Sequence, residues 1–121
     1  MPTIPYILVI DDEPSILEVT AAILEDAGYV VEKATNGQEG LQILREARPE
    51  LVMLDMRMPV MDGWGFAKVL HNSGSTVPIV VLTAAQDAKG WAAEIGADAY
   101  LGKPYDMDEL LALVEQLLNR P

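Results

Sequence analysis

Five side chains with phosphate and metal chemistry stand at or just beyond the ends of short apolar runs. Asp11 and Asp12 follow Tyr6 to Ile10, and Asp55 follows Leu51 to Leu54. Thr83 follows Pro78 to Leu82, and Lys103 lies just past Ala99 to Leu101. If these runs are parallel strands, ligands bind outside their carboxyl ends, near the switch point of the sheet. Three carboxylates meeting there repel: two unit charges ~4 Å apart cost ~4 kcal/mol at an effective dielectric of 20. Either one carboxylate holds a proton or a cation joins them. Mg²⁺ fits, because it takes oxygen ligands and keeps several waters.

A hydroxyl and an ammonium beside such a cation make a site for a transferred phosphoryl group. Mg²⁺ and Lys103 would neutralise its oxygens, Thr83 would donate a hydrogen bond, and Asp55 would be the nucleophile, since carboxylates form acyl phosphates. This chemistry is mostly positioning and charge stabilisation. Each residue also has an ordinary explanation. Asp11 and Asp12 could cap a helix opening at Pro14, which suits a first helical position; Thr83 could be a strand-end hydroxyl and Lys103 a surface charge. The coincidence of all five at matching strand ends favours the chemical reading.

The elements that must position them alternate. Val30 to Ala34 adds a weaker strand to the four runs above, and the runs apolar at nearly every position read as strands covered on both faces. Between them, Ile16, Val19, Ile23, Leu24 and Ala27 recur at helical spacing up to Gly28. Leu41, Leu44 and Ala47 mark a second helix before Pro49. A third runs from about Gly63 to just before Ser73-Gly74, and a fourth from roughly Asp87 to Ile95, stopping at Gly96. Asp106 to Glu109 resembles a capping box ahead of Leu110, Val114 and Leu117. The order is (βα)₅, an α/β class with a parallel sheet and helices on both faces. Residues 1–121 read as one domain, with no repeat and no interdomain linker.

Composition narrows the function. There is no cysteine, which excludes disulfides, thiolate zinc and thiol nucleophiles. Lys and Arg number 8 against 19 Asp and Glu, a formal net charge of −11 that disfavours direct binding to nucleic acid or anionic lipid. The apolar runs are strand-sized and Met1 to Ile10 lacks a leader pattern, so the expectation is a soluble, cytoplasmic protein. No P-loop is present, and Gly63-Trp64-Gly65 is not a dinucleotide fingerprint. His71 reads as a surface residue. Met53, Met56, Met58 and Met61 read as packing around Asp55.

With those residues in view, the chain resembles the receiver domain of two-component response regulators. The matching segments are Val9-Ile10-Asp11-Asp12-Glu13, Leu54-Asp55-Met56-Arg57-Met58-Pro59 through Met61-Asp62-Gly63, Val81-Leu82-Thr83-Ala84, and Gly96-Ala97-Asp98 through Lys103-Pro104-Tyr105. The resemblance implies a flavodoxin-like fold with strand order 2-1-3-4-5. It implies Asp55 as phosphoacceptor, with the phosphoryl group coming from a histidine kinase or a histidine phosphotransfer protein. Asp12, Asp55 and the backbone carbonyl of Arg57 match the Mg²⁺ ligands, with Asp11 acting largely through water. Lys103 matches the phosphate-binding lysine, and Thr83 and Tyr100 match the switch pair. Lys103-Pro104 matches a bond that is usually cis. The face made by the fourth helix, fifth strand and fifth helix is implied to meet a downstream protein, with a monomer or weak dimer expected.

Two other functions compete. An aspartate-nucleophile phosphatase usually needs a second Asp two positions after the nucleophile, where this chain has Arg57. A receiver-like module working without phosphorylation would usually have lost an acidic residue, the threonine or the lysine, and all are kept. Expected is a phosphoacceptor that assists its own phosphorylation and dephosphorylation rather than an enzyme, with no output domain in this chain. The segment between Thr83 and Lys103 reads as slightly short, so a short or shifted fourth helix is expected. Trp91 falls there at a position expected to be polar, as a partly buried residue or a partner contact. Tyr105 stands where phenylalanine is common, a change expected to be harmless. Leu111, Leu113 and Leu118 widen the apolar stripe of the last helix, as a thick core-facing face or as an exposed patch.

Overall fold

The computed structural model describes residues 5–118. Strands and helices alternate: β1 (Tyr6–Ile10), α1 (Pro14–Asp26), β2 (Val30–Ala34), α2 (Gly37–Glu46), β3 (Leu51–Asp55), α3 (Gly63–Asn72), β4 (Ile79–Ala84), α4 (Ala85–Ile95), β5 (Ala99–Lys103) and α5 (Met107–Leu118). All strand pairs are parallel, in the order β2-β1-β3-β4-β5. This is the doubly wound, five-stranded sheet expected from the sequence.

Side-chain alternation sorts the central strands into two cores. Leu8, Ile10, Val52, Leu54 and Val81 pack with Phe66, Leu70 and Ala92 under α2, α3 and α4. Ile7, Val9, Met53, Val80 and Leu82 pack with Leu17, Leu24, Leu110 and Val114 under α1 and α5. Burying each such Leu, Ile or Val contributes roughly 1.5–3 kcal/mol. Several together outweigh the few kcal/mol of repulsion expected among the carboxylates, so packing decides where the charges sit.

Local signals set the helix ends. The Asp62 side chain accepts the Gly65 N–H at 2.8 Å and caps α3; Asp106 accepts the Glu109 N–H at 2.7 Å ahead of α5. Gly96 adopts φ 67° and closes α4 in the left-handed conformation. The α5 stripe is as read: Leu110, Val114 and Leu117 are buried, while Leu111, Leu113 and Leu118 are partly buried against the same core.

Three expectations need correction. In α1 the buried stripe is Leu17, Thr20, Ala21 and Leu24, one residue round from Ile16, Val19 and Ile23. Val19 is 59% exposed. The stripe was masked because one of its members, Thr20, is polar; its hydroxyl lies 2.8 Å from the Tyr105 hydroxyl, which satisfies both groups. In α2 the buried residues are Gly37 and Gly40, with Leu41 and Leu44 only partly covered and Ala47 extended beyond the helix. The helix there lies so close that a Cβ on Gly40 would fall 2.6 Å from Ile10 Cδ1. Finally, α4 is 11 residues long and starts at Ala85, straight out of β4, so it is neither short nor begun at Asp87.

Candidate functional site

Strand register brings the acidic residues together. Ile10 pairs with Leu54 across β1 and β3, so Asp11 and Asp55 are the next residues on adjacent strands. Asp55 pairs with Leu82, which puts Thr83 one step beyond, and Thr83 and Ala84 pair with Gly102 and Lys103. Asp11, Asp12 and Asp55 each offer a carboxylate oxygen within 4.8 Å of the others. Asp11 is fully buried, Asp55 and Thr83 nearly so, and Asp12 half-buried.

Two glycines make this approach possible. A Cβ on Gly63 would lie 2.8 Å from Met56 Cα and 2.9 Å from the Asp55 carbonyl oxygen, so α3 starts directly against the strand end that carries Asp55. A Cβ on Gly102 would lie 2.6 Å from Ala85 Cα, where α4 crosses the end of β5. Both clashes are with backbone, which cannot yield as a flexible side chain would.

The hydrogen bonds separate the roles of the carboxylates. Asp11 Oδ1 accepts the Glu13 N–H at 3.0 Å, and Asp11 Oδ2 accepts from Lys103 Nζ at 2.8 Å. Lys103 Nζ is also 3.6 Å from Asp55 Oδ1. The N-cap position of α1 is Glu13, and no side chain caps that helix. Capping therefore does not account for Asp11 or Asp12, although Pro14 does occupy the start of α1 as read.

One ammonium cannot balance three carboxylates. Burial, and then the charge of Asp11, push the Asp55 carboxyl up to about 7, with Lys103 opposing and Asp12 adding to the rise. Burial would lower the Lys103 ammonium, but its hydrogen bond to Asp11 and the charges of Asp55 and Asp11 more than offset this, and it stands above its ordinary value. A hard divalent cation matches the donor set: all-oxygen, multiply anionic, and with one carboxyl held near neutrality for want of positive charge.

Beside Asp55 opens a groove of about 670 Å³, lined by Asp55, Arg57, Thr83 and Lys103 and by an apolar wall of Ile16, Val19, Ile23 and Tyr105. Of the apolar residues assigned to the α1 core, Ile16, Val19 and Ile23 thus line the site, Ile23 while also packing partly against the core, and Leu24 is buried in the core as read. Tyr100 on β5 is 44% exposed, outside this groove. The Lys103-Pro104 bond is cis. His71 is exposed, Met53 and Met56 are buried, and Met58 and Met61 pack partly against the core, all as read.

Two features at the site escaped the sequence. Trp91 is half-buried, the first of the two alternatives read for it, but its neighbourhood escaped: its ring centroid is 4.9 Å from that of Trp64 in an edge-on arrangement. The Arg57 guanidinium stands 5.2 Å from the Trp91 ring, and Trp64 Nε1 donates to Glu94 at 2.9 Å. Only the unusual tryptophan signalled this cluster. The second is Val60, at φ 69° in the loop between β3 and α3, with the Met61 N–H donating to the Pro59 carbonyl across it; nothing in its residue type announces that conformation.

Comparison with known proteins agrees with this geometry. The family model described as the response regulator receiver domain matches residues 7–115. The transcriptional regulator RpaA of Synechocystis sp. is 40% identical over 121 aligned residues, covering 96% of this chain and 50% of that protein. The response regulator MprA of Mycolicibacterium vanbaalenii is 40% identical over 116 residues, covering 94% and 50%. The chain thus spans about half the length of the curated relatives it matches. Among solved structures, the chemotaxis protein CheY4 of Vibrio cholerae superposes with a TM-score of 0.86 at 32% identity, covering 96% of this chain and all of that one. The receiver domain of the Francisella response regulator 1452 gives 0.88 at 29% identity, covering 96% and 98%. With the acidic cluster, the sheet order and these matches in agreement, the chain belongs to the response regulator receiver domain family of two-component signalling.

Proposed function

We propose that this domain is a phosphorylation-controlled switch in which Asp55 accepts a phosphoryl group from the phosphohistidine of a histidine kinase or a histidine phosphotransfer protein. The observation that carries the reading is the position of Lys103, whose Nζ lies 2.8 Å from Asp11 and 3.6 Å from Asp55 at the mouth of a three-carboxylate cluster. An Asp55 oxygen attacks phosphorus, the donor P–N bond breaks, and the electron pair leaves with the imidazole nitrogen. Lys103 neutralises the phosphoryl oxygens, and Thr83 donates a hydrogen bond to one of them.

Mg²⁺ would be held by Asp12, Asp55 and the Arg57 carbonyl, with Asp11 acting through water, and when bound it supplies charge neutralisation at the transferring group. The apolar rim of Ile16, Val19 and Ile23 offers the donor protein a docking surface next to Asp55. Modification draws Thr83 toward the phosphoryl group and lets Tyr100 move inward from its exposed position. That reshapes the α4–β5–α5 face read by a downstream protein, a local charge change biasing a two-state element. The same site assists loss of the phosphoryl group to water. Mg²⁺-dependent labelling by acetyl phosphate, lost in Asp55→Asn, tests the reading; labelling that persists in that variant sinks it.

A further inference from the structure

The acidic crevice has a second cation at its edge that does not enter it. Arg57 lies two residues after Asp55, lines the same groove, and carries a permanent charge. Three carboxylates with only Lys103 among them, of the described residues, would attract a guanidinium on so short a tether. Its guanidinium is found instead against the Trp91 ring, on α4. That ring is built in place. Trp64 packs edge-on against it, and the Trp64 indole N–H is tied to Glu94, one helical turn after Trp91 on the same helix. A face of an aromatic ring attracts a guanidinium through its quadrupole, and Trp64, itself held by Glu94, packs against this one.

We propose that Trp91 is a positioning residue for the acidic site, acting through Arg57: it holds the guanidinium against α4 and so keeps the three carboxylates open to a divalent cation. This rests on the reading of Asp11, Asp12 and Asp55 as a cation site. Without the ring, Arg57 turns toward the carboxylates and competes with the metal for them. The contact also ties the loop after β3 to α4 through two residues 34 positions apart in sequence, Arg57 and Trp91.

The test is Mn²⁺ affinity, read from the electron paramagnetic resonance signal of the free ion, which needs no phosphotransfer. Trp91→Leu should weaken Mn²⁺ binding by about five-fold, within the range of a cation–π contact to an exposed guanidinium. Trp91→Phe, which keeps a ring, should weaken it less. In the Arg57→Gln background the Trp91 substitutions should change affinity by less than about two-fold, because the competitor is gone. If Trp91→Leu fails to fold, Trp91→Phe in the two backgrounds reads the same coupling. Equal affinity for wild type and both Trp91 variants overturns the proposal, as does equal weakening in both Arg57 backgrounds, which would mark plain packing. A wild-type domain that binds no Mn²⁺ overturns the cation-site reading and this inference with it. Wild-type binding without the coupling overturns the inference alone.

Discussion

Lys103 is bound to Asp11 more closely than to Asp55: Nζ to Asp11 Oδ2 is 2.8 Å, and Nζ to Asp55 Oδ1 is 3.6 Å. The ammonium is thus anchored on a fully buried carboxylate and leaves the oxygens of Asp55 free to react. Lys103→Met removes the sole side-chain cation at hydrogen-bonding distance from Asp11 among the described residues. Breaking such a pair leaves a buried charge uncompensated, so a loss of about 3 kcal/mol in urea unfolding is expected, together with at least ten-fold slower labelling by acetyl phosphate. Unchanged stability would mean that Asp11 does not depend on Lys103.

The raised carboxyl of Asp55 makes stability depend on pH. Its pKa in the folded protein, about 7, lies above the ordinary 3.8, so the folded state holds this proton more tightly than the unfolded chain. Its contribution is complete below about pH 4 and is lost as pH rises toward 7. Unfolding free energy should fall across that window by roughly 1–2 kcal/mol, less than full linkage because the open crevice lets water screen the charges. Asp55→Asn should flatten this slope, and Mg²⁺ should bind more tightly as pH rises to 7. Urea unfolding from pH 4 to 7, with and without Mg²⁺, measures both; a slope unaltered by Asp55→Asn would place the titrating group elsewhere.

Tyr105 is not a neutral stand-in for phenylalanine. Its hydroxyl meets buried Thr20 at 2.8 Å, and burial pushes its phenol up from the ordinary value. Tyr105→Phe should cost about 1 kcal/mol, the usual net worth of such a bond. Thermal melts of this variant and of Thr20→Val should show partial non-additivity in the double mutant.

Val60 is strained without burial in return. It sits at φ 69° and is 76% exposed. Val60→Gly relieves about 1–2 kcal/mol of left-handed strain and adds back some unfolded-state entropy, so a net gain of roughly 0.5–1 kcal/mol is expected. Chemical denaturation checks the sign, and a loss of stability would show that the Val60 side chain contributes more than its exposure indicates.

What the sequence revealed follows from the range of the interactions involved. Asp11, Asp12, Asp55, Thr83 and Lys103 were legible because each lies within two residues of the end of its own strand, close to where an apolar run stops. The α5 stripe was legible because Leu110, Val114 and Leu117 are both apolar and buried. The α1 stripe was misread because Thr20 is buried by virtue of a partner 85 residues away. The α2 face was misread because Gly37 and Gly40 fit by having no side chain. Arg57, Trp64, Trp91 and Glu94 come from three elements, and their contact exists only once α3 and α4 are packed side by side.

The central claim concerns a single bond, from an Asp55 carboxylate oxygen to phosphorus. Treating the domain with acetyl phosphate and Mg²⁺, then reducing with borohydride, converts an acyl phosphate to the corresponding alcohol, which peptide sequencing by mass spectrometry can locate. Homoserine at position 55, absent when Mg²⁺ is chelated, is the predicted result; homoserine at another aspartate, or a phosphoryl group on a hydroxyl or histidine side chain with position 55 intact, contradicts it.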